Sequence, residues 1–338
     1  MILRTDTVEQ TVDRDRRVVL VKDVIMTPGQ PLGMVRKRLP PPHESKGTLL
    51  LVHGFAQNRY TWHLERRSFS AYLAAEGWDV FQVDLRGHGR SRWFSESRPR
   101  TVDEYVQEDI PLVLREALRL SGQERGFLIG HSMGGMIAYA AAAPLREKLR
   151  GLVSIGSPFN FGLGNTFLRN LARVLATVRF TGVFDRNPLL PTHLVGRHLL
   201  DRLRPALDLP FWPGAVQGWR PGSMEPEVLH EFLGKSFEAT SVQILFDIFS
   251  GADRVSLARS AGRVDYGVAF EALDLPLLVI AGTADSLAPP DSVKEAYLKS
   301  GSTDKTYREF PAGHIDLVLG REAPTTVWPL VRDWLARH

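Results

Sequence analysis

Gly126-Phe127-Leu128-Ile129-Gly130-His131-Ser132-Met133-Gly134-Gly135-Met136-Ile137-Ala138-Tyr139-Ala140-Ala141-Ala142-Ala143 is the stretch on which the reading of this chain turns. Its first four residues are a short apolar run of the kind that forms a buried strand. From Met136 onward it is alanine-rich and helix-forming. Between the two, Gly130, Ser132 and Gly134 spell G-x-S-x-G. A strand that turns abruptly into a helix needs small residues on either side of the turning residue. Here that residue is Ser132. The turn pushes its hydroxyl out over the end of the sheet and aims the following backbone N–H groups at whatever the oxygen attacks.

Outward from this elbow the same unit recurs. Gly47–Val52 reads as a continuous apolar strand, followed by His53-Gly54-Phe55-Ala56-Gln57 and a helix from Thr61 to Glu76. Trp78–Asp84 is the next strand. A helix over Val102–Leu120 follows, with Thr101 as N-cap and Glu104 closing a capping box. Leu152–Ile155, Leu275–Ile280 and Thr306–Phe310 continue the series, with helices at Ser292–Lys299 and Thr325–Leu335. Strand–helix alternation predicts a mostly parallel α/β sheet. At the N-terminal end, Arg17–Val24 and Leu32–Leu39 flank the turn Thr27-Pro28-Gly29-Gln30 and predict a hairpin.

The alternation stops after Ser157. Thr166–Phe180 carries an apolar helical face, prolines cut the middle, and Thr240–Ser250 is helical again. The expectation is therefore an α/β core over residues 1–156 and 267–338, with about eight strands, and a helical cap over 157–266. The apolar cap face is expected to pack onto the core, with transient contact to a lipid surface as the alternative.

Composition narrows the function. Of 338 residues, 43% are apolar, enough for a sizeable core, and 24% are charged, an ordinary share that argues against disorder. The net charge of +4 is modest and scattered, so no nucleic-acid partner is expected. The chain has no cysteine, which removes disulfides, a thiolate nucleophile and cysteine-ligated metal. No metal or cofactor is expected. The glycines of Arg86-Gly87-His88-Gly89 are read as not leading into a helix, which argues against a nucleotide site. Neither a signal peptide nor a membrane span is read, so the expectation is a cytoplasmic protein of unassigned oligomeric state.

Serine is a poor nucleophile until a histidine, itself held by an acid, takes its proton. Of ten histidines, His314 alone follows the last strand in a glycine-bearing loop. Asp285 lies just beyond the strand ending at Ile280 and fits the order Ser…Asp…His, with Asp265 and Asp253 as fallbacks. The oxyanion of an acyl intermediate needs backbone donors. Met133 N–H supplies one and Phe55 N–H, after the Gly47–Val52 strand, the other. Gln57 and Asn58 are candidate helpers, and His53 is read as supporting the loop. Phe159, Phe161, Phe167, Trp212 and Phe246 are candidate substrate-pocket residues on the cap.

Taken together, His53-Gly54-Phe55, Asp84-Leu85-Arg86-Gly87-His88-Gly89-Arg90-Ser91, Gly130–Gly135, Gly282-Thr283-Ala284-Asp285 and Gly313-His314 resemble the α/β-hydrolase family in their order. The resemblance implies that fold and a Ser132–His314–Asp285 triad, and leaves the substrate open. More finely, Asp103–Pro111 is similar to the acid lipase group. Gly313-His314-Ile315-Asp316-Leu317-Val318 is similar to that group and to the polyhydroxyalkanoate synthases. Those synthases carry cysteine at the elbow, and dehalogenases and epoxide hydrolases of the fold carry aspartate; Ser132 therefore favours ester hydrolysis. The expected substrate is a small-molecule ester with an apolar acyl group. Acyl transfer by the same triad, or a non-catalytic binding protein of this fold, are the alternatives.

Overall fold

Thr48–Val52 is buried at every position because it is sandwiched, and its neighbours share that fate. The computed structural model describes residues 1–95, 98–160, 163–180, 186–194, 196, 202, 218–250 and 266–338. Six strands run parallel: β4 (Thr48–Val52), β5 (Asp79–Asp84), β6 (Gly126–His131), β7 (Leu149–Ile155), β10 (Leu277–Gly282) and β11 (Lys305–Phe310). Their alternate side chains part to opposite faces. Leu50, Val52, Leu128 and Val279 join one buried cluster, and Leu49, Leu51, Ile129 and Ile280 join the other. Helices α4 (Ile110–Ser121) and α5 (Met133–Ala142) and the helix Pro290–Lys299 cover the first face. Helix α1 (Phe69–Ala75) and the helix Val327–Arg337 cover the second.

Three antiparallel strands extend one side: β1 (Ile2–Asp13), β2 (Arg16–Met26) and β3 (Gly33–Arg38). The sheet order is β1-β2-β3-β5-β4-β6-β7-β10-β11. It has nine strands rather than about eight. The addition is β1, whose Thr5-Asp6-Thr7-Val8-Glu9 carries polar residues on both faces, so no half-buried alternation marks it.

Other local expectations shift. The helix read over Thr61–Glu76 is a 3₁₀ turn at Arg59–Thr61 and then α1, which starts where the Ser68 hydroxyl accepts the Ala71 N–H (3.0 Å). The long helix read over Val102–Leu120 contains a π segment, Tyr105–Asp109, between α3 (Val102–Glu104) and α4. Its buried positions Tyr105, Asp109, Val113 and Ala117 recur every four residues. That spacing exceeds the 3.6 of an α-helix, and the wide turn takes up the difference. The glycine loop after β5 does lead into a short helix, α2 (Gly89–Phe94), contrary to the sequence reading.

Between β7 and β10 lie α6 (Thr166–Phe180), the helices Pro226–Lys235 and Val242–Ser250, and a two-residue ribbon pairing β8 (Leu189–Leu190) with β9 (Thr240–Ser241). Leu171 and Leu175 of α6 pack against the first cluster. Trp219, Val228 and Phe232 join the second. The insertion is thus anchored on both faces. The helix Tyr266–Glu271 returns the chain to the core, with Phe270 4.9 Å from the Tyr139 ring of α5.

Candidate active site

Ser132, Asp285, His314 and Phe55 each follow the carboxyl end of a parallel strand, because each strand–helix crossover brings the chain back to the same edge. At the end of β6 Ser132 takes φ 57°, ψ −125°, a conformation that L-residues rarely adopt and that costs about 1–3 kcal/mol. Close approach explains the flanking glycines. A Cβ on Gly130 would lie 2.3 Å from Gly135 N, and one on Gly134 would lie 2.1 Å from the Val52 carbonyl oxygen. The Ser132 N–H is fixed on the Ile155 carbonyl of β7 (3.1 Å). Met133 opens α5, so its N–H has no acceptor within the helix and lies at the positive end of the dipole.

His314 follows β11 and reaches Asp285, which follows β10. The Nδ1 of His314 donates to Oδ2 of Asp285 at 2.7 Å. Oδ1 of Asp285 accepts the N–H groups of Leu287 (2.9 Å) and Ala288 (2.8 Å). The Asp285 side chain is wholly inaccessible to solvent. Its orientation is therefore set by three bonded partners, the ring included, and not by water. Asp265 and Asp253 lie outside the described residues.

Two neighbouring histidines are braces. Nε2 of His131 donates to the carbonyl of His314 (3.1 Å), and the two rings are 4.6 Å apart. Burial, then the nearby His314, hold the His131 pKa down at about 3, so it stays neutral. His53 accepts the Leu85 N–H on Nε2 (3.1 Å), which leaves its proton on Nδ1, toward the Gly54 carbonyl (2.9 Å). Burial, then His88, lower its pKa to about 3. It joins the loops after β4 and β5, the supporting place expected of it.

The loop after β4 packs on the nucleophile: a Cβ on Gly54 would lie 3.0 Å from that of Ser132. Phe55 is next in the chain, half-buried against the first cluster. Gln57 accepts the Thr61 hydroxyl (2.9 Å). Asn58 accepts the Tyr60 N–H (2.9 Å) and donates to Glu238 (2.9 Å). Of the pocket candidates, Phe159 is packed in the core between Tyr139 (5.7 Å) and Phe270 (5.4 Å). Phe246 is buried and Phe167 is 51% exposed. Phe161 and Trp212 lie outside the described residues.

Two carboxylates take on roles that the sequence reading did not assign. Asp84 accepts the Arg59 N–H (2.8 Å), the Arg59 guanidinium (2.6 Å) and the Arg90 N–H at the start of α2 (2.9 Å). The helix that the glycine loop leads into thus has its positive end filled by the chain's own carboxylate, and a nucleotide phosphate would meet that charge. Glu238 donates its N–H to the Ala56 carbonyl (2.9 Å) and pairs with Arg92 (3.1 Å), fastening the insertion to the loop after β4. Asp84 closes a strand, a place that carries a signal. Glu238 touches partners about 180 positions away, and no local pattern announces that. Among the described residues, no group of three or more metal-ligating side chains converges, and no helix is long and apolar enough to cross a membrane.

The comparisons agree with this architecture. A family model for the alpha/beta hydrolase fold matches residues 47–320. The chain is 27% identical over 307 residues to the poly(3-hydroxyalkanoate) polymerase subunit PhaC of Haloferax mediterranei, across 86% of this chain and 58% of that protein. It is 24% identical over 340 residues to lipase member M of Homo sapiens, across 87% and 75%. It is 26% identical over 159 residues to epoxide hydrolase 3 of Xenopus tropicalis, across 47% and 40%. The matched region is less than two thirds of the polymerase subunit and of the epoxide hydrolase. The solved monoacylglycerol lipase of Paleococcus ferrophilus superposes with a TM-score of 0.62 at 21% identity, over 91% of this chain and 99% of that one. At that identity the superposition speaks for the fold alone. With a nine-stranded sheet, a strained serine elbow and a family match over most of its length, the chain belongs to the alpha/beta hydrolase fold family.

Proposed function

We propose that the chain is a serine hydrolase of carboxylic esters that works through an acyl-enzyme on Ser132. One observation carries the reading: a strained serine at the elbow shares its sheet edge with a buried histidine–aspartate couple bonded at 2.7 Å. In the proposed reaction Ser132 Oγ attacks the acyl carbon and gives its proton to His314 Nε2, the ring nitrogen not used by Asp285. The N–H groups of Met133 and Phe55 hold the oxyanion. The C–O bond to the alcohol breaks as His314 returns the proton to the leaving oxygen. Water, deprotonated by His314, then cleaves the acyl-enzyme to free acid and restores Ser132.

Asp285 orients the ring and stabilises its charge without touching substrate, so its loss is the milder one. Asp285→Asn is expected to lower kcat less than His314→Ala does, with both proteins folded. A silent Asp285→Asn beside an inactivating Asp265→Asn would move the acid elsewhere.

The acyl group is proposed to be apolar. Phe55, beside Ser132, packs against the same cluster as Met136, Leu171, Leu175 and Leu245. Each methylene buried on such a surface contributes up to about 0.8 kcal/mol. Segment 157–266 would act as a cap, with exposed Phe167 and Val174 on α6 available for brief contact with a lipid aggregate. A panel of p-nitrophenyl esters from about two to sixteen carbons tests the reading. The expected kcat/KM rises from acetate toward octanoate, and a flat or falling series would point to a small closed pocket. The likeness to a polymerase subunit over 86% of the chain keeps acyl transfer as the second reading. It differs only in the acceptor, and accumulation of an acylated alcohol or thiol instead of free acid would favour it.

A further inference from the structure

Asp316 lies two residues past His314 and is 4% exposed, yet it touches neither Ser132 nor Asp285 in any bond described above. Its Oδ2 accepts two N–H groups from segments far apart in the chain: Gly313 (2.7 Å), beside His314, and Arg220 (2.8 Å), in the insertion. A second bond runs in parallel, from the Ile315 N–H to the Gly218 carbonyl (2.8 Å), and a third from the Arg321 N–H to the Ser223 carbonyl (2.9 Å). The backbones touch here. A Cβ on Gly313 would lie 2.6 Å from Arg220 N and 2.8 Å from the Trp219 carbonyl carbon. Beneath them Trp219, Ile315 and Leu317 are buried in one apolar cluster.

The cost of this arrangement argues that the bonds matter. Oδ1 of Asp316 is buried and receives no N–H, with the Ser223 hydroxyl nearby donating to the Arg220 carbonyl (2.5 Å). Burying a carboxylate oxygen without an N–H donor is unfavourable unless the other oxygen is well served. Two N–H donors at 2.7 and 2.8 Å serve it. Removing them would free Gly313 on one side and the 218–220 strap on the other.

We infer that Asp316 is a positioning residue that stitches the 218–220 strap of the insertion to the His314 loop, so that seating of the insertion sets the placement of the histidine ring. The inference rests on the role given to His314 under Proposed function. His314 is then held on three sides: by Asp285 through Nδ1, by His131 through its carbonyl, and by the insertion through its chain neighbours. Small misplacements of a catalytic group cost rate steeply while leaving substrate binding nearly intact.

The test uses the full chain with Asp316→Ala and Asp316→Asn. The asparagine keeps an oxygen that accepts both N–H groups; the alanine keeps none. Asp316→Ala is expected to lower kcat about 10- to 100-fold with KM within about twofold, and Asp316→Asn to recover most of that loss. Hydrogen exchange is expected to quicken in Asp316→Ala in both peptides spanning 218–224 and 312–320, and to stay near the parent in Asp316→Asn. Labelling of Ser132 by a fluorophosphonate, followed by mass, separates the two levels of the argument. A parent protein that does not label overturns the serine-hydrolase reading and the inference with it. A parent that labels, beside an Asp316→Ala variant that labels equally fast, overturns the inference alone. So does faster exchange confined to 312–320, or an equal loss of kcat in both variants. Global unfolding of Asp316→Ala, seen as exchange throughout the sheet, leaves Asp316→Asn to decide: kcat cut as far as in His314→Ala would refute the stitch.

Discussion

Ser132→Ala is expected to lose ester cleavage by about a thousandfold or more while unfolding at nearly the temperature of the parent. The nucleophile and its base act as a unit, so removing one leaves only binding and oxyanion stabilisation. The fold is expected to survive because the hydroxyl carries no described bond that holds the elbow. The backbone does that, through the Ser132 N–H on Ile155 and the close packing of Gly130 and Gly134. Turnover above about a tenth of the parent's would place the nucleophile elsewhere. An inactive but unfolded variant would show that the serine is structural.

The second large effect is a loss of stability in acid. His53 and His131 are buried, and burial holds both near a pKa of about 3 in the folded chain. In the unfolded chain each titrates near about 6.5. Below that value the unfolded state takes up protons that the folded state refuses. The stabilisation is therefore complete above about pH 6.5 and declines as the pH falls toward 3. Each histidine contributes a slope of about 1.4 kcal/mol per pH unit, or about 2 kcal/mol between pH 6.5 and 5. Asp109 works the other way. Burial raises its pKa to about 6 against the pull of Arg86, so the folded chain protonates it first and regains about one proton's worth of slope below pH 6. Urea unfolding at pH 7, 6 and 5 is expected to show falling stability, and His53→Gln a shallower fall. A flat profile between pH 7 and 5 would mean that these rings are charged in the fold.

The parallel strands were legible because burial on both faces demands unbroken apolar runs, as in Leu49-Leu50-Leu51-Val52. The site was legible for a related reason. Crossovers return every strand to the same edge, so the residues just past Ile129, Ile280 and Phe310 had to converge. Strand β1 was not legible, since its pairing with β2 is made largely by backbone and most of its side chains are exposed or half-buried, Val12 alone being buried. The π segment hid inside a helical pattern that spacing alone does not separate from an ordinary turn. The bonds that Asp316 and Glu238 make to distant segments were unreadable for a deeper reason. Their partners, Arg220 and Ala56, are brought to them only by the folded insertion. Phe159 was read as pocket lining because an aromatic after a strand fits either place; it packs on Tyr139 and Phe270 in the buried cluster.

The three antiparallel strands lie outside the stretch that the family model matches, yet they finish the sheet. Without β3, the fully buried β5 would end the sheet with a row of unpaired backbone groups beside apolar side chains. Such a border recruits strands from neighbouring molecules. Arg36 of β3 grips Asp79 of β5 through two bonds, 2.7 and 2.6 Å, and locks the register of that junction. The border is thereby moved outward to β1, where Arg4 and Asp6 alternate with Thr5 and Thr7 along a mostly exposed or half-buried strand. Past its apolar first residues, where Ile2 and Leu3 are exposed, that fringe presents charged and polar side chains. The N-terminal ribbon thus decides which strand ends the sheet on this side, a role separate from anything that happens at Ser132.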